Sequence, residues 1–335
     1  MRSSDVCIFG AGPAGIAAAS RLLEKGRVVL LLDCVPRRKR WGGESFTGAI
    51  RAPLLAIGCW DAFQQAGHVQ GFERESAWGG DPHAETSMLH PFGPLWHVDR
   101  ARFDDDLRSA VLQRGDILLT YRKLDSVTRS PDGWRIELDG NTEVKAKYLV
   151  DATGRSRTLA RRLHATVTFH DRLLGFTASV ARDASSNTTR VMRIESTPFG
   201  WWYAAPTPKG HVLAAFTDVD LAPRELRGRL SPVAANSAFT HVEPGAGWLP
   251  VGDACASHDP LCGWGVHRAM TNGLRAADAI NEFLLSGGSI QLDDYRQDCY
   301  REYTRYLRGL RERYSIERRW PTAPFWERRH NLAFT

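Results

Sequence analysis

The chain has 335 residues, with 44 Lys+Arg against 38 Asp+Glu for a formal net charge of +6, and it is 43% hydrophobic and 24% charged. That length supports a large core, expected as two closely connected domains of ordinary globular composition. No apolar run approaches the ~18 residues that span a bilayer, and no signal-peptide pattern precedes the first strand. A cytoplasmic protein with no membrane span is therefore expected. The arginine-driven charge comes with no nucleic-acid-binding motif, so no nucleic-acid partner is expected either. Cys7, Cys34, Cys59, Cys255, Cys262 and Cys299 are scattered without a C-x-x-C pair. They read as thiols rather than a disulfide framework or a metal site.

In chain order, the apolar strand Val6-Cys7-Ile8-Phe9 runs into Gly10-Ala11-Gly12-Pro13-Ala14-Gly15 and an alanine-rich helix reaching about Glu24. This is a G-x-G-x-x-G turn in strand–turn–helix context. Gly10 permits the tight turn, Gly12 lets the backbone approach a pyrophosphate, and Gly15 lets helix and strand pack closely. The helix start offers N–H groups and positive dipole to phosphates. A second strand, Val28 to Leu32, ends at Asp33, where a carboxylate can accept ribose hydroxyls. Arg37-Arg38-Lys39-Arg40 follows, either a solvated loop or a clamp on adenosine phosphates.

The spacing predicts a helix over Ala52–Gly67, with Leu54, Leu55, Ile57 and Phe63 as its apolar positions. Residues 71–97 read as strands and loops of a second layer. A helix from Asp99 to Arg114 has Asp99 as N-cap. Strands are predicted at 116–128, 133–138 and 143–150, then a mostly antiparallel set at Leu174–Ala181, Thr189–Ser196, Gly200–Ala205 and His211–Asp218. The chain returns to its first domain at Trp248-Leu249-Pro250-Val251-Gly252-Asp253. Helices near 264–285 and 291–318 finish it, the last with Tyr295, Cys299, Tyr303, Tyr306, Leu310 and Tyr314 as a packing stripe.

Three segments carry a resemblance. Asp151-Ala152-Thr153-Gly154-Arg155-Ser156, Val251-Gly252-Asp253-Ala254, and Asp259-Pro260-Leu261-Cys262-Gly263-Trp264-Gly265-Val266 resemble, in this order, motifs of the p-hydroxybenzoate hydroxylase-type FAD oxidoreductases. Gly43-Glu44-Ser45, Ser76-Ala77-Trp78-Gly79, Trp96-His97-Val98-Asp99-Arg100, Gly200-Trp201-Trp202-Tyr203-Ala204-Ala205-Pro206 and the tail Arg319-Trp320-Pro321 with Pro324-Phe325-Trp326 are similar to segments of the tryptophan-halogenase-like flavoproteins. That group includes the flavoproteins that mature tryptophylquinone enzymes.

The resemblance implies an α/β fold: a Rossmann-like FAD-binding domain with an inserted, mainly antiparallel β-sheet substrate domain and C-terminal helices. Residues 1–70, 98–165 and 248–290 would form the FAD-binding domain, 71–97 and 166–247 the substrate domain, and 291–335 the C-terminal helix and tail. It implies FAD held by Gly10, Gly12, Pro13, Ala14, Gly15, Asp33, Glu44, Ser45, Arg100, Gly252 and Asp253. Pro260, Gly263, Trp264, Gly265 and Val266 would face the ring, where a helix N-terminus stabilises negative charge.

Two departures count against a halogenase. That chemistry needs a lysine after Gly-Glu-Ser, yet none stands between Lys39 and Lys123, and Gly-Trp-Trp-Tyr-Ala-Ala-Pro replaces the halogenase W-x-W-x-I-P. The expected reaction is hydroxylation of an aromatic group through a flavin C4a-hydroperoxide, using O₂ and electrons from NAD(P)H or a partner flavin reductase. The substrate would be an aromatic small molecule or a tryptophan in a peptide or carrier-tethered precursor, with a precursor protein or reductase as partner. A flavin halogenase, a flavin-bearing maturation partner of a quinoprotein and a dehydrogenase or reductase are the alternatives.

His258, Glu44, His97 and Glu195 are the acid–base candidates. His258 abuts the ring-binding Asp259-Pro260, or else only holds that loop. Glu44 could instead cap a helix, and Glu195 could be an exposed strand carboxylate. Trp78, Trp96 and Trp202 are expected to line an aromatic pocket. Trp264 could stack on the flavin or block one face. Cys262 could be a reactive thiolate at the helix start or a small residue in a tight turn. Between Asp218 and Trp248 the chain is shorter than in its relatives, which implies an open pocket.

Overall fold

The computed structural model describes residues 2–34, 44–86, 90–115, 117–181, 191–230 and 232–331. The basic run Arg37–Arg40 and Gly43 of the Gly-Glu-Ser segment lie outside them. Arg2–Phe9 is central to the first sheet, because Val6, Cys7, Ile8 and Phe9 are apolar on both faces and fully buried, as a covered parallel strand requires. Val29–Cys34 and then Leu118–Tyr121 run parallel to it on one side, and Thr142–Asp151 on the other. Thr142–Asp151 divides its pairing. Its first half meets Gly133–Leu138 antiparallel, and its end meets Trp248–Pro250 parallel. The return of the chain at Trp248 is thus a strand of the first sheet. The helices Pro13–Glu24 and Gly265–Ser286 pack together over it, with Gly273 so close that a Cβ there would lie 2.3 Å from the Ala14 carbonyl oxygen.

The excursion builds a second seven-stranded sheet in the order Pro232–Ala234, Leu173–Ala181, Gly210–Asp218, Gly200–Thr207, Val191–Thr197, Glu73–Ala77 and His83–Thr86. It is antiparallel except where Glu73–Ala77 runs parallel to Val191–Thr197. The two-residue period sorts it into faces. Ser196, Trp201 and Phe216 form one row of the inner face, and Ile194, Tyr203 and Ala214 form the next. Glu195, Trp202 and Ala215 stand on the outer face. A small sheet of Glu44–Phe46, Leu95–Val98 and Val69–Gly71 joins the two layers. A further sheet of Val167–Phe169, Ala238–Thr240 and Ala256–Ser257 escaped sequence reading, its strands being only two or three residues long.

The predicted helix over Ala52–Gly67 is two helices, Arg51–Ala56 and Trp60–Gln65. Gly58 adopts φ +71, and the Cys59 N–H donates to the Leu54 carbonyl at 2.8 Å, so a glycine cap ends the first helix. Leu54, Ile57 and Phe63 are buried as predicted, but Leu55 is half exposed. Asp99 caps its helix as expected, its Oδ1 accepting from the N–H groups of Ala101 and Arg102. The last long helix, Ile290–Ile316, buries the tyrosine stripe, and a short helix, Pro324–His330, closes one end by burying Phe325 and Trp326. Among the described residues no helix is long and apolar enough to cross a membrane.

Candidate functional site

The glycine turn is shaped by contacts that no side chain tolerates. Gly10 has φ +104, and a Cβ on Gly15 would lie 2.0 Å from the Gly10 carbonyl oxygen. Pro13 starts the helix, and no side chain caps it, so its first N–H groups are left for an anion. Arg108 reaches across this turn from the helix Arg100–Leu112. Its Nη2 donates to the Ala11 carbonyl at 3.4 Å and lies 3.5 Å from Asp33 Oδ2. Arg108 was not foreseen. Its signal was a polar row at intervals of four, Arg100, Asp104 and Arg108, where Asp104 and Arg108 are buried.

Gly252, at φ +59, is packed so tightly that a Cβ there would lie 2.8 Å from Ala14 Cβ, so the two glycine motifs meet in space. Asp253 Oδ2 sits 3.3 Å from Arg155 Nε. Arg155 also donates to the carbonyls of Asn236 at 2.5 Å and His258 at 2.6 Å. Asp151 is fully buried and accepts from Thr153 N–H, Thr153 Oγ1 and the Ala160 N–H, while desolvation raises its pKa above the usual value. The next loop turns through Pro260–Cys262, and Gly263 takes φ +66. Trp264 then opens Gly265–Ser286, again without a side-chain cap. Two uncapped helix starts, two glycine approaches closed to any Cβ and carboxylates at strand ends fit an FAD molecule. Its diphosphate suits the first helix start and its ring edge the second.

Within the loop expected to border the ring, Asp259 is almost fully buried. Its Oδ1 accepts from the Leu261 N–H, its Oδ2 from Tyr314 Oη at 2.7 Å, and Trp201 Nε1 donates to that same tyrosine oxygen. Desolvation, reinforced by Asp171, pushes the Asp259 pKa up to about 6 from 3.8. A folded value above the unfolded one means that the proton stabilises the fold. That contribution is complete below the unfolded pKa and is lost as pH rises through about 6, amounting to about 3 kcal/mol. In urea unfolding, the stability of Asp259→Asn relative to the natural chain should therefore rise by that amount between about pH 4 and pH 7. A difference independent of pH would contradict this coupling.

Of the four acid–base candidates, Glu44 and His97 lie on neighbouring strands of the small sheet, one register position apart, and on opposite faces of it. Ser45 pairs with His97 across it, and Ser45 Oγ lies 2.7 Å from His97 Nδ1. Tyr203 Oη, from the inner face of the second sheet, donates to Ser45 Oγ at 2.8 Å. Neither Tyr203 nor this chain of three was foreseen, since the partners are far apart in sequence. Glu44 is held by Arg100, its Oε2 2.5 Å from Nη1, while Arg100 Nε donates to Asp104 at 3.1 Å. Burial opposes the Arg100 charge, but Glu44 and Asp104 outweigh it and raise its pKa. Glu44 therefore anchors this arginine rather than capping a helix.

His258 stands apart, its ring 4.1 Å from that of Tyr306 on the last long helix. Burial, with Arg268 and Arg155 nearby, pushes its pKa well below the usual value and keeps it neutral. Glu195 is half exposed on the outer face, 3.3 Å from Arg193. The three tryptophans do not share a pocket. Trp78 is buried against Trp201, Tyr314 and Trp326 and donates to the Arg313 carbonyl. Trp96 is buried against Trp60 and Phe63. Trp202, 43% exposed, points outward because the strand period gives the inner positions to Trp201 and Tyr203. Trp264 stands edge-on to Phe92 and His267, and Arg268 donates to Cys262 Sγ at 3.0 Å.

Comparison with known proteins agrees with this geometry. The family described as FAD dependent oxidoreductase matches residues 5–166. LodB of Marinomonas mediterranea, which bears the name of an FAD-dependent oxidoreductase, is 29% identical over 98% of this chain and 98% of its own length. A 1H-pyrrole-2-carbonyl-(peptidyl-carrier protein) brominase of Pseudoalteromonas luteoviolacea is 26% identical over 84% of this chain and 78% of that protein. The solved peptidyl tryptophan dihydroxylase QhpG, essential for tryptophylquinone cofactor biogenesis, shares the fold. It superposes with a TM-score of 0.78 at 22% identity, over 98% of this chain and 78% of that one. The chain is an FAD-dependent oxidoreductase, similar in sequence and fold to halogenase-like flavoproteins.

Proposed function

We propose that this flavoprotein is a monooxygenase that hydroxylates an aromatic group, a tryptophan carried in a peptide or tethered precursor. Bound FAD, reduced by a nicotinamide or a partner reductase, supplies the activation of O₂. The chain's own residues bind, orient and shield. Gly10, Gly12, Pro13, Ala14 and Gly15 hold the diphosphate, Asp33 the adenosine ribose, and Asp253, fixed by Arg155, the ribityl chain. Pro260, Gly263, Trp264, Gly265 and Val266 border the ring, where the helix start stabilises negative charge. Glu44, Ser45 and Arg100 secure the strand that flanks it.

The observation that carries oxygen transfer over halogenation is the run from Lys39 to Lys123, which offers no lysine to hold hypohalous acid. A tethered substrate is favoured by the names of two of the proteins compared, one acting on a peptidyl-carrier-bound pyrrole and one on peptidyl tryptophan. The test supplies reductant, O₂ and a tryptophan-containing peptide to the FAD-loaded protein, with and without bromide or chloride. The peptide should gain oxygen equally in both. A gain in mass that requires halide would assign the chain to the halogenases.

A further inference from the structure

Tyr203, Ser45 and His97 form a continuous polar chain from the inner face of the second sheet into the small sheet beneath it. Tyr203 Oη donates to Ser45 Oγ at 2.8 Å. With its oxygen so occupied, Ser45 has its own proton to give, and His97 Nδ1 stands 2.7 Å away. His97 is fully buried and packed closely on Gly71, where a Cβ would come within 2.1 Å of Nε2. Its ring therefore has no room to swing away from Ser45.

The strand bearing Ser45 lies near the loop proposed to border the flavin ring. The segment bearing Ser45 runs on to Gly48, where a Cβ would meet the Phe92 carbonyl oxygen at 1.8 Å, and the Phe92 ring stands 5.9 Å from that of Trp264. We infer that Tyr203, Ser45 and His97 are a proton relay that accepts the proton released by the aromatic substrate. This rests on the oxygenation proposed above. The step moves protons only. The substrate's proton passes to Tyr203 Oη, the tyrosine's proton to Ser45 Oγ, and the serine's proton to His97 Nδ1, leaving an imidazolium. Burial raises the Tyr203 pKa, so the hydroxyl passes its proton onward without dwelling as a phenolate.

The test has two readings. In the resting, FAD-loaded protein, the nitrogen-15 resonances of His97 should show Nδ1 bare and accepting a hydrogen bond, and Ser45→Ala should shift that resonance. Nδ1 found protonated would overturn the relay whatever the reaction proves to be. In turnover with the tryptophan peptide, Tyr203→Phe keeps the packed ring but should lower the rate by about 100-fold. The FAD content and unfolding midpoint should stay unchanged. The double variant Tyr203→Phe/Ser45→Ala should be no slower than either single one, because the members act as a unit. A Tyr203→Phe enzyme at full rate would overturn the relay. Failure of the natural chain to hydroxylate any peptide would bear on the reaction alone, since the resonances are read without turnover.

Discussion

Gly15→Ala is expected to purify without FAD. The new Cβ would sit 2.0 Å from the Gly10 carbonyl oxygen and 3.1 Å from Ala152 Cβ. The first of these is backbone, so the helix start must move away from the turn that aims its N–H groups. Overpacking of this kind costs about 1–3 kcal/mol even in a yielding core, and here it also misdirects the anion site. At least a 10-fold loss of FAD affinity follows, since 1.4 kcal/mol is about tenfold. Flavin absorbance per chain after gel filtration measures it. Gly26→Asn is the control: that glycine has φ +74 with nothing within 4 Å of a Cβ, and asparagine tolerates the left-handed region. It should retain its flavin. Full flavin content in Gly15→Ala would contradict the placement of the diphosphate.

Arg329→Ala is expected to release the C-terminal helix Pro324–His330. Arg329 and Asp218 are both almost completely buried, joined at 2.7 and 3.0 Å, and the guanidinium stacks 3.5 Å over Phe325. Removing one partner of a buried pair costs about 3–5 kcal/mol, because the remaining charge loses its compensation. Arg328, 3.1 Å from Asp218, softens the loss and places it at the lower end. The helix covers Trp201 and Trp78, so the second sheet should loosen with it. The unfolding free energy in urea reads the loss, and a change below about 1 kcal/mol would contradict it.

Much of the backbone of the proposed cofactor cradle was legible because its grammar is local. Gly10 to Gly15, Gly252-Asp253 and Asp259 to Val266 each lie within one turn, and each turn has the backbone that its glycines imply. The first sheet was legible in part for the same reason: a strand such as Val6 to Phe9, apolar on both faces, has few other places to go, but the single strand expected over 116–128 is two, Leu118–Tyr121 and Leu124–Ser130. What was not legible depends on contacts distant in sequence. Tyr203 meets Ser45 only because two sheets face each other, and Arg108 meets Asp33 only because one helix crosses a turn. Trp202 drew attention as an aromatic, but a strand's faces cannot be assigned until its neighbours are known. Trp201 took the inner side, leaving Trp202 with Glu195 outside. Gly58 shows the cost of reading apolar spacing alone, since a helical stripe continued through a residue whose backbone ends the helix.

In the proposed reaction one oxygen atom passes from O₂ to an aromatic ring. Turnover of a tryptophan-containing peptide under ¹⁸O₂, read by mass spectrometry, tests it most directly. The product should carry ¹⁸O on the indole ring and should form whether or not halide is present. A product that carries halogen, or oxygen drawn from water, or that is merely oxidised or reduced without oxygen gain, would contradict it.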